Sequence, residues 1–136
     1  MKGRLYAPAA CALIAAVLAG CASTSSVSSS FKGEEHGVAQ AIADLQTAAT
    51  AGEEKKICAL FTKANVAALG GQSGCEAAVK SQLGQLDSFE LATKAVHLEG
   101  DDRATATVEA VVSGKKKDQT VKLVKEGGSW RIDELG

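Results

Sequence analysis

Four cysteines and two histidines are the side chains in these 136 residues best suited to covalent, redox or acid–base chemistry, and their spacing limits what each can do. Cys58 and Cys75 have residues 59–74 between them, far from the Cys-x-x-Cys arrangement of a redox dithiol. His36 stands beside Glu34 and Glu35 and reads as part of a solvated charged cluster. His97 lies between Val96 and Leu98 but on the opposite strand face from them, which reads as solvent-facing; the alternative is a histidine lining a pocket. Neither histidine has Cys or Asp neighbours at zinc-ligand spacing, and Asp101-Asp102 lacks the alternating oxygen ligands of a calcium loop, so neither metal nor cofactor is expected. The chain has no Gly-x-Ser-x-Gly, no phosphate-binding glycine loop and no Gly-x-Gly-x-x-Gly.

The remaining cysteines, Cys11 and Cys21, belong to the opening of the chain. Lys2 and Arg4 precede an uncharged apolar run over residues 7–20, which is too short for the ~20-residue helix that spans a bilayer and has the layout of a signal peptide. The run ends in Leu18-Ala19-Gly20-Cys21, which resembles the lipobox of bacterial lipoproteins. That resemblance implies that the Cys21 thiol takes a diacylglycerol and that the leader, residues 1–20, is cut off just before it. Two acyl chains hold a protein at a membrane, whereas one gives only reversible binding. The alternative is an ordinary secretory leader cut elsewhere, with Cys21 a spare thiol. Residues 21–33 then form a lipidated cysteine and a Ser-rich flexible tether, and residues 34–136 a single domain. Loss of the leader removes two basic residues and leaves a formal charge of −3, which gives no electrostatic reason to expect nucleic acid as a partner.

The folded part divides by periodicity. Val38, Ile42, Leu45 and Ala49 recur at helical steps from Gly37 to Ala51, and Ile57, Leu60 and Phe61 mark a second helix starting at Glu53. Thr62 reads as the cap of a short turn through Val66 and Leu69, stopped by Gly70-Gly71. Ser73-x-x-Glu76 reads as the capping box of a third long helix carrying Cys75, Val79, Leu83 and Leu86. After Asp87 the period becomes 2: Phe89, Leu91 and Thr93, then Val96 and Leu98 with the phase slipped by one, as a β-bulge produces. Ala104, Ala106, Val108, Ala110 and Val112 follow beyond a turn at residues 99–102; a second turn is expected from Ser113 to Lys117, and Lys115-Lys116-Lys117 reads as a charged tip keeping a sheet edge soluble. Val121 and Leu123, a Gly127-Gly128 hairpin, and Trp130, Ile132 and Leu135 complete an antiparallel meander. Helices followed by such a meander make an α+β fold.

This order of elements, ending in Gly-Gly-Ser-Trp-Arg-Ile-Asp-Glu, resembles the NTF2-like superfamily, in particular its small bacterial lipoprotein members. The resemblance implies N-terminal helices packed on a curved antiparallel sheet, a cone with a pocket at its open end. Superfamily isomerases use a tyrosine in their oxyanion hole, but Tyr6 lies in the leader; hydratases lean on a His–Asp pair, and only His36 and His97 are present. The small inward set Ala104, Ala106 and Ala110 either lets helices approach closely or leaves room for a ligand together with His97. In an exported chain Cys58 and Cys75 are expected to form a disulfide, closing a loop worth about 3 kcal/mol, with a reduced buried pair or a redox dithiol as alternatives. The expected function is a non-catalytic binding or accessory domain, lipid-anchored on the extracytoplasmic face of a cell membrane, whose partner is an envelope protein or a small apolar ligand. The alternative is an NTF2-like enzyme of isomerase or hydratase type acting on a small apolar substrate in the cone.

Overall fold

The computed structural model describes residues 31–136, so Cys21 and the leader lie outside the described residues. Helix α1 spans Glu34–Ala51 and buries Val38, Ala41, Ile42, Leu45 and Ala48. It begins three residues before the expected start at Gly37, because Glu34 and Glu35 suit the positive end of the helix dipole, and it is capped by Gly52 in the left-handed conformation. Helix α2, Glu54–Leu60, buries Ile57 and Cys58. Thr62 caps the short α3, Lys63–Ala68, its hydroxyl accepting from the Asn65 amide at 3.3 Å.

Helix α4, Gly71–Leu83, starts two residues before the capping box at Ser73, which is therefore not used. Gly70 and Gly71, at φ 96° and 84°, turn the chain straight from α3 into α4. The turn is so tight that a Cβ at Gly74 would sit 2.0 Å from the Leu69 carbonyl oxygen. The disulfide between Cys58 and Cys75 then joins α2 to α4 across a Cα–Cα distance of 6.1 Å, with both cysteines buried.

The strands β1 (Phe89–Glu99), β2 (Arg103–Val112), β3 (Lys115–Glu126) and β4 (Ser129–Leu135) pair antiparallel in the order of the chain, forming one curved sheet. The expected bulge falls between Thr93 and Ala95, leaving Lys94 outside the register. Before and after it, Leu91, Thr93, Val96 and Leu98 face inward. The turn expected over Ser113–Lys117 is shorter: Ser113 and Gly114, at φ 48° and 80°, make the whole connection. The three lysines are thus drawn into β3, where Lys115 and Lys116 pair with Val112 and Val111. β4 reaches along β3 only as far as Val121, so the lysines stand where β3 has no outer neighbour, a placement that discourages pairing with other chains.

The inner face of the sheet and α1 enclose the core. Val38, Ile42, Val108, Leu123 and Ile132 are all at most 1 % exposed. At β4 the outer edge is closed by the chain between α2 and α3: Phe61 bridges Ile132, and the Thr62 amide donates to the Ile132 carbonyl at 3.0 Å. Asn65 Nδ2 adds donations to the Ile132 and Asp133 carbonyls at 3.3 and 2.6 Å.

Candidate functional site

The alanines expected to border a pocket are core residues instead. Ala104 and Ala106, 2 % and 0 % exposed, pack in one cluster with Val38, Ala41 and Ile42 of α1, and Ala110 is buried as well. Their small size lets α1 lie close on the sheet, and the space a ligand would need is filled. His97 pairs with Thr105 in the ladder and is exposed on the outer face, away from these alanines. A pocket built from His97, Ala104, Ala106 and Ala110 does not form, because period-2 alternation sends the histidine and the alanines to opposite faces of the sheet. His36 is exposed on the first turn of α1.

Open space lies at the other end of α1. A cleft of about 720 Å³ separates the last turn of α1, the end of α4 with the loop behind it, and the start of β1. Its apolar lining is Ala49, Leu83, Leu86 and Phe89, and its charged groups are Lys80, Glu54, Asp87 and Glu90. No ion pair among the described residues engages these four charges.

The walls are held by specific bonds. Gln46 Oε1 accepts the Leu91 amide at 2.9 Å, fixing α1 to the edge of β1. Behind α4, which ends at Leu83, the loop of residues 84–88 is fastened to the β2–β3 turn: the Ser113 amide donates to the Ser88 carbonyl at 3.0 Å and the Asp87 amide to Ser113 Oγ at 3.3 Å. Apolar side chains interspersed with polar ones and an acidic surplus suit an amphipathic ligand, part of whose surface is buried and which a few charges orient.

The periodicity of α4 placed Leu83 and Leu86 on a buried stripe, and both are only half-buried. The sequence did carry a signal here, since Leu86 continues an apolar stripe beyond the point where the helix stops. Gln46, Glu54 and Asp87 carried none: they meet only through the tertiary fold.

Two charged clusters lie elsewhere. Trp130 Nε1 and Lys125 Nζ donate to the two Glu34 carboxylate oxygens at 2.8 and 3.0 Å, and the hydrogen bonds from Lys125 and then Trp130 hold the Glu34 carboxyl below its usual pKa. Gly37 leaves room for that indole, since a Cβ there would lie 3.0 Å from Trp130 Cδ1. On the outer face the bulge residue Lys94 pairs with Asp118 at 2.9 Å and Glu109 at 3.4 Å, and the Asp118 bond raises the lysine pKa. Both clusters tie elements together. Among the described residues no group of three or more His, Cys, Asp or Glu side chains could hold a metal ion, and no helix is long and apolar enough to cross a membrane.

No family model and no curated protein matches the chain. Solved structures do. A designed protein, Rd1NTF2, superposes with a TM-score of 0.52 at 16 % identity, covering 76 % of this chain and 97 % of its own. A SEC-C motif containing protein from Rhodopseudomonas palustris gives 0.54 at 15 % identity, covering 75 % of this chain and 76 % of its own. A candidate dehydratase from the NTF2-like family of Streptomyces avermitilis gives 0.52 at 12 % identity, over 72 % of this chain and 90 % of its own. The fold is NTF2-like.

Proposed function

We propose that the chain is a bacterial lipoprotein, lipid-anchored through Cys21 on the extracytoplasmic face of a cell membrane, whose NTF2-like domain binds an envelope protein or a small apolar ligand without transforming it. The observation that carries the binding reading is the division of space in the domain. The interior, where an NTF2-like enzyme would place its substrate, is occupied by Ala104, Ala106 and the α1 side chains, while a cleft of mixed polar and apolar lining opens between α1, α4 and β1. His97, which the enzymatic alternative would need inside the cone together with acidic groups, faces outward.

The anchor is supported by Leu18-Ala19-Gly20-Cys21 and by the polar tether that follows. A disulfide-bonded domain also fits an oxidising compartment. Metabolic labelling with a clickable fatty acid tests the anchor: the full chain takes label and fractionates with membranes, and Cys21→Ser abolishes both. Native mass spectrometry of the exported protein tests the binding. A co-purifying mass should accompany the parent chain and be lost in Leu86→Asp, which puts a charge on the cleft floor. A bare parent chain that turns over small apolar substrates would overturn the reading.

A further inference from the structure

A second cleft, about 610 Å³, lies on the far side of the helical layer where α2 and α3 meet the β3–β4 hairpin. Its floor is apolar, made by Phe61, Val66 and Ala67, and two cations, Lys63 and Arg131, stand at its rim. The Arg131 guanidinium is oriented by donating Nη1 to the Ala59 carbonyl, which leaves further N–H donors on its planar fork. Lys63 is exposed, and its ammonium makes no ion pair among the described residues. The one carboxylate present, Glu126, already accepts the Lys63 backbone N–H at 3.1 Å. Glu126 keeps its charge, and two cations against this one carboxylate leave the cleft net positive beside its apolar side chains, the reverse of the acidic cleft at the other end of α1.

We propose that this cleft binds a long-chain carboxylate, a free fatty acid, with its headgroup between Lys63 and Arg131 and its chain along Phe61, Val66 and Ala67. The chemistry is complementary at both ends. A guanidinium fork and a carboxylate share planar geometry, and the apolar floor gains from covering by methylene groups. The volume is in the range of small-molecule sites, roughly 300–1,000 Å³. The site is separate from the cleft of the proposed function and stands or falls independently of it.

Calorimetric titration of the full chain carrying Cys21→Ser, with dodecanoate, dodecanol and dodecyltrimethylammonium below their micelle thresholds, tests the assignment. Dodecanoate should bind at least about tenfold more tightly than dodecanol, as a hydrogen bond to a charged group implies, and the cationic amphiphile should not bind here. Backbone amide shifts should centre on Val66, Gln72 and Gly127. Lys63→Glu, at an exposed position, should abolish binding with unchanged circular dichroism, and Lys63→Arg should retain it. Equal affinity for dodecanol, shifts centred on Leu83 and Phe89, or an undiminished Lys63→Glu would overturn the proposal. So would tighter binding of an acidic peptide than of dodecanoate, which would assign the groove to a protein.

Discussion

The two halves of the domain are held together in different ways. The sheet and α1 bury a continuous set of large side chains, among them Val38, Ile42, Leu123 and Ile132. The α2–α4 layer buries Ile57, Cys58 and Cys75 among its helical residues; α3 buries none and α4 only its cysteine. α4 packs on α2 and α3, and α2 in turn on α1 and β4. Hydrophobic burial stabilises the first half directly. The second joins that core chiefly through Ile57, with Leu60, Phe61, Val79 and Leu83 only partly buried against it, and leans more on a covalent link, which acts by restricting the unfolded chain, and on the few bonds that dock it to β4. Both clefts are bounded by the weaker half, which is where local opening costs least.

The sharpest way to break this contrast is to cut each half at its own support. Ile132→Ala removes fully buried methyl groups where β4 meets α1 and should cost about 2–5 kcal/mol, lowering the urea midpoint of the whole domain in one cooperative transition. Replacing both cysteines by serine should cost about 3 kcal/mol, but in a different pattern. Hydrogen exchange should accelerate across residues 54–83 while β2 and β3 keep their protection. If the double serine variant instead lost protection evenly over the sheet, the two halves would be one cooperative unit and the contrast would be wrong.

How much of this was legible in the sequence also differs between the halves. In the sheet, period-2 alternation names the inward residues, and the slip between Thr93 and Val96 revealed the bulge, because a one-residue shift exchanges the two faces. Alternation does not say what stands opposite. Ala104, Ala106 and Ala110 were rightly placed inward, but whether helix or ligand met them depended on the path of α1. In the helical layer local signals competed. Ser73 and Glu76 have capping-box spacing, yet Gly70-Gly71 reverses the chain first, and Gly74 lets α4 begin against Leu69. The clefts were the least legible features: each gathers residues from segments far apart in sequence, and no periodicity records that meeting.

The docking between the halves should be open to smaller changes. Asn65→Ala removes two donations from its Nδ2, to the Ile132 and Asp133 carbonyls, and should cost about 1 kcal/mol. Exchange at the Thr62 amide should quicken, since that donor shares the Ile132 carbonyl. Thr62→Ala should cost about 1 kcal/mol by uncapping α3. If either change left residues 61–65 as protected as before, α3 would be held by something other than these bonds.

The smallest effect belongs to the strong half. Glu34 is paired at the start of α1 with Lys125 and Trp130 of the β3–β4 hairpin, and its pKa is held below 4.5. A carboxylate with a lowered folded pKa contributes stability that is fully present above its unfolded pKa and is lost as pH falls through the folded one. Thermal melting followed by Trp130 fluorescence should therefore lose stability as pH falls through the lowered Glu34 pKa, and Glu34→Gln should remove part of that slope by slightly lowering the neutral-pH melting temperature while leaving the acid-pH value nearly unchanged. The contribution is small because the carboxylate is solvent-screened. An unaltered slope in Glu34→Gln would show that the hairpin is secured to α1 by packing of the indole beside Gly37 alone.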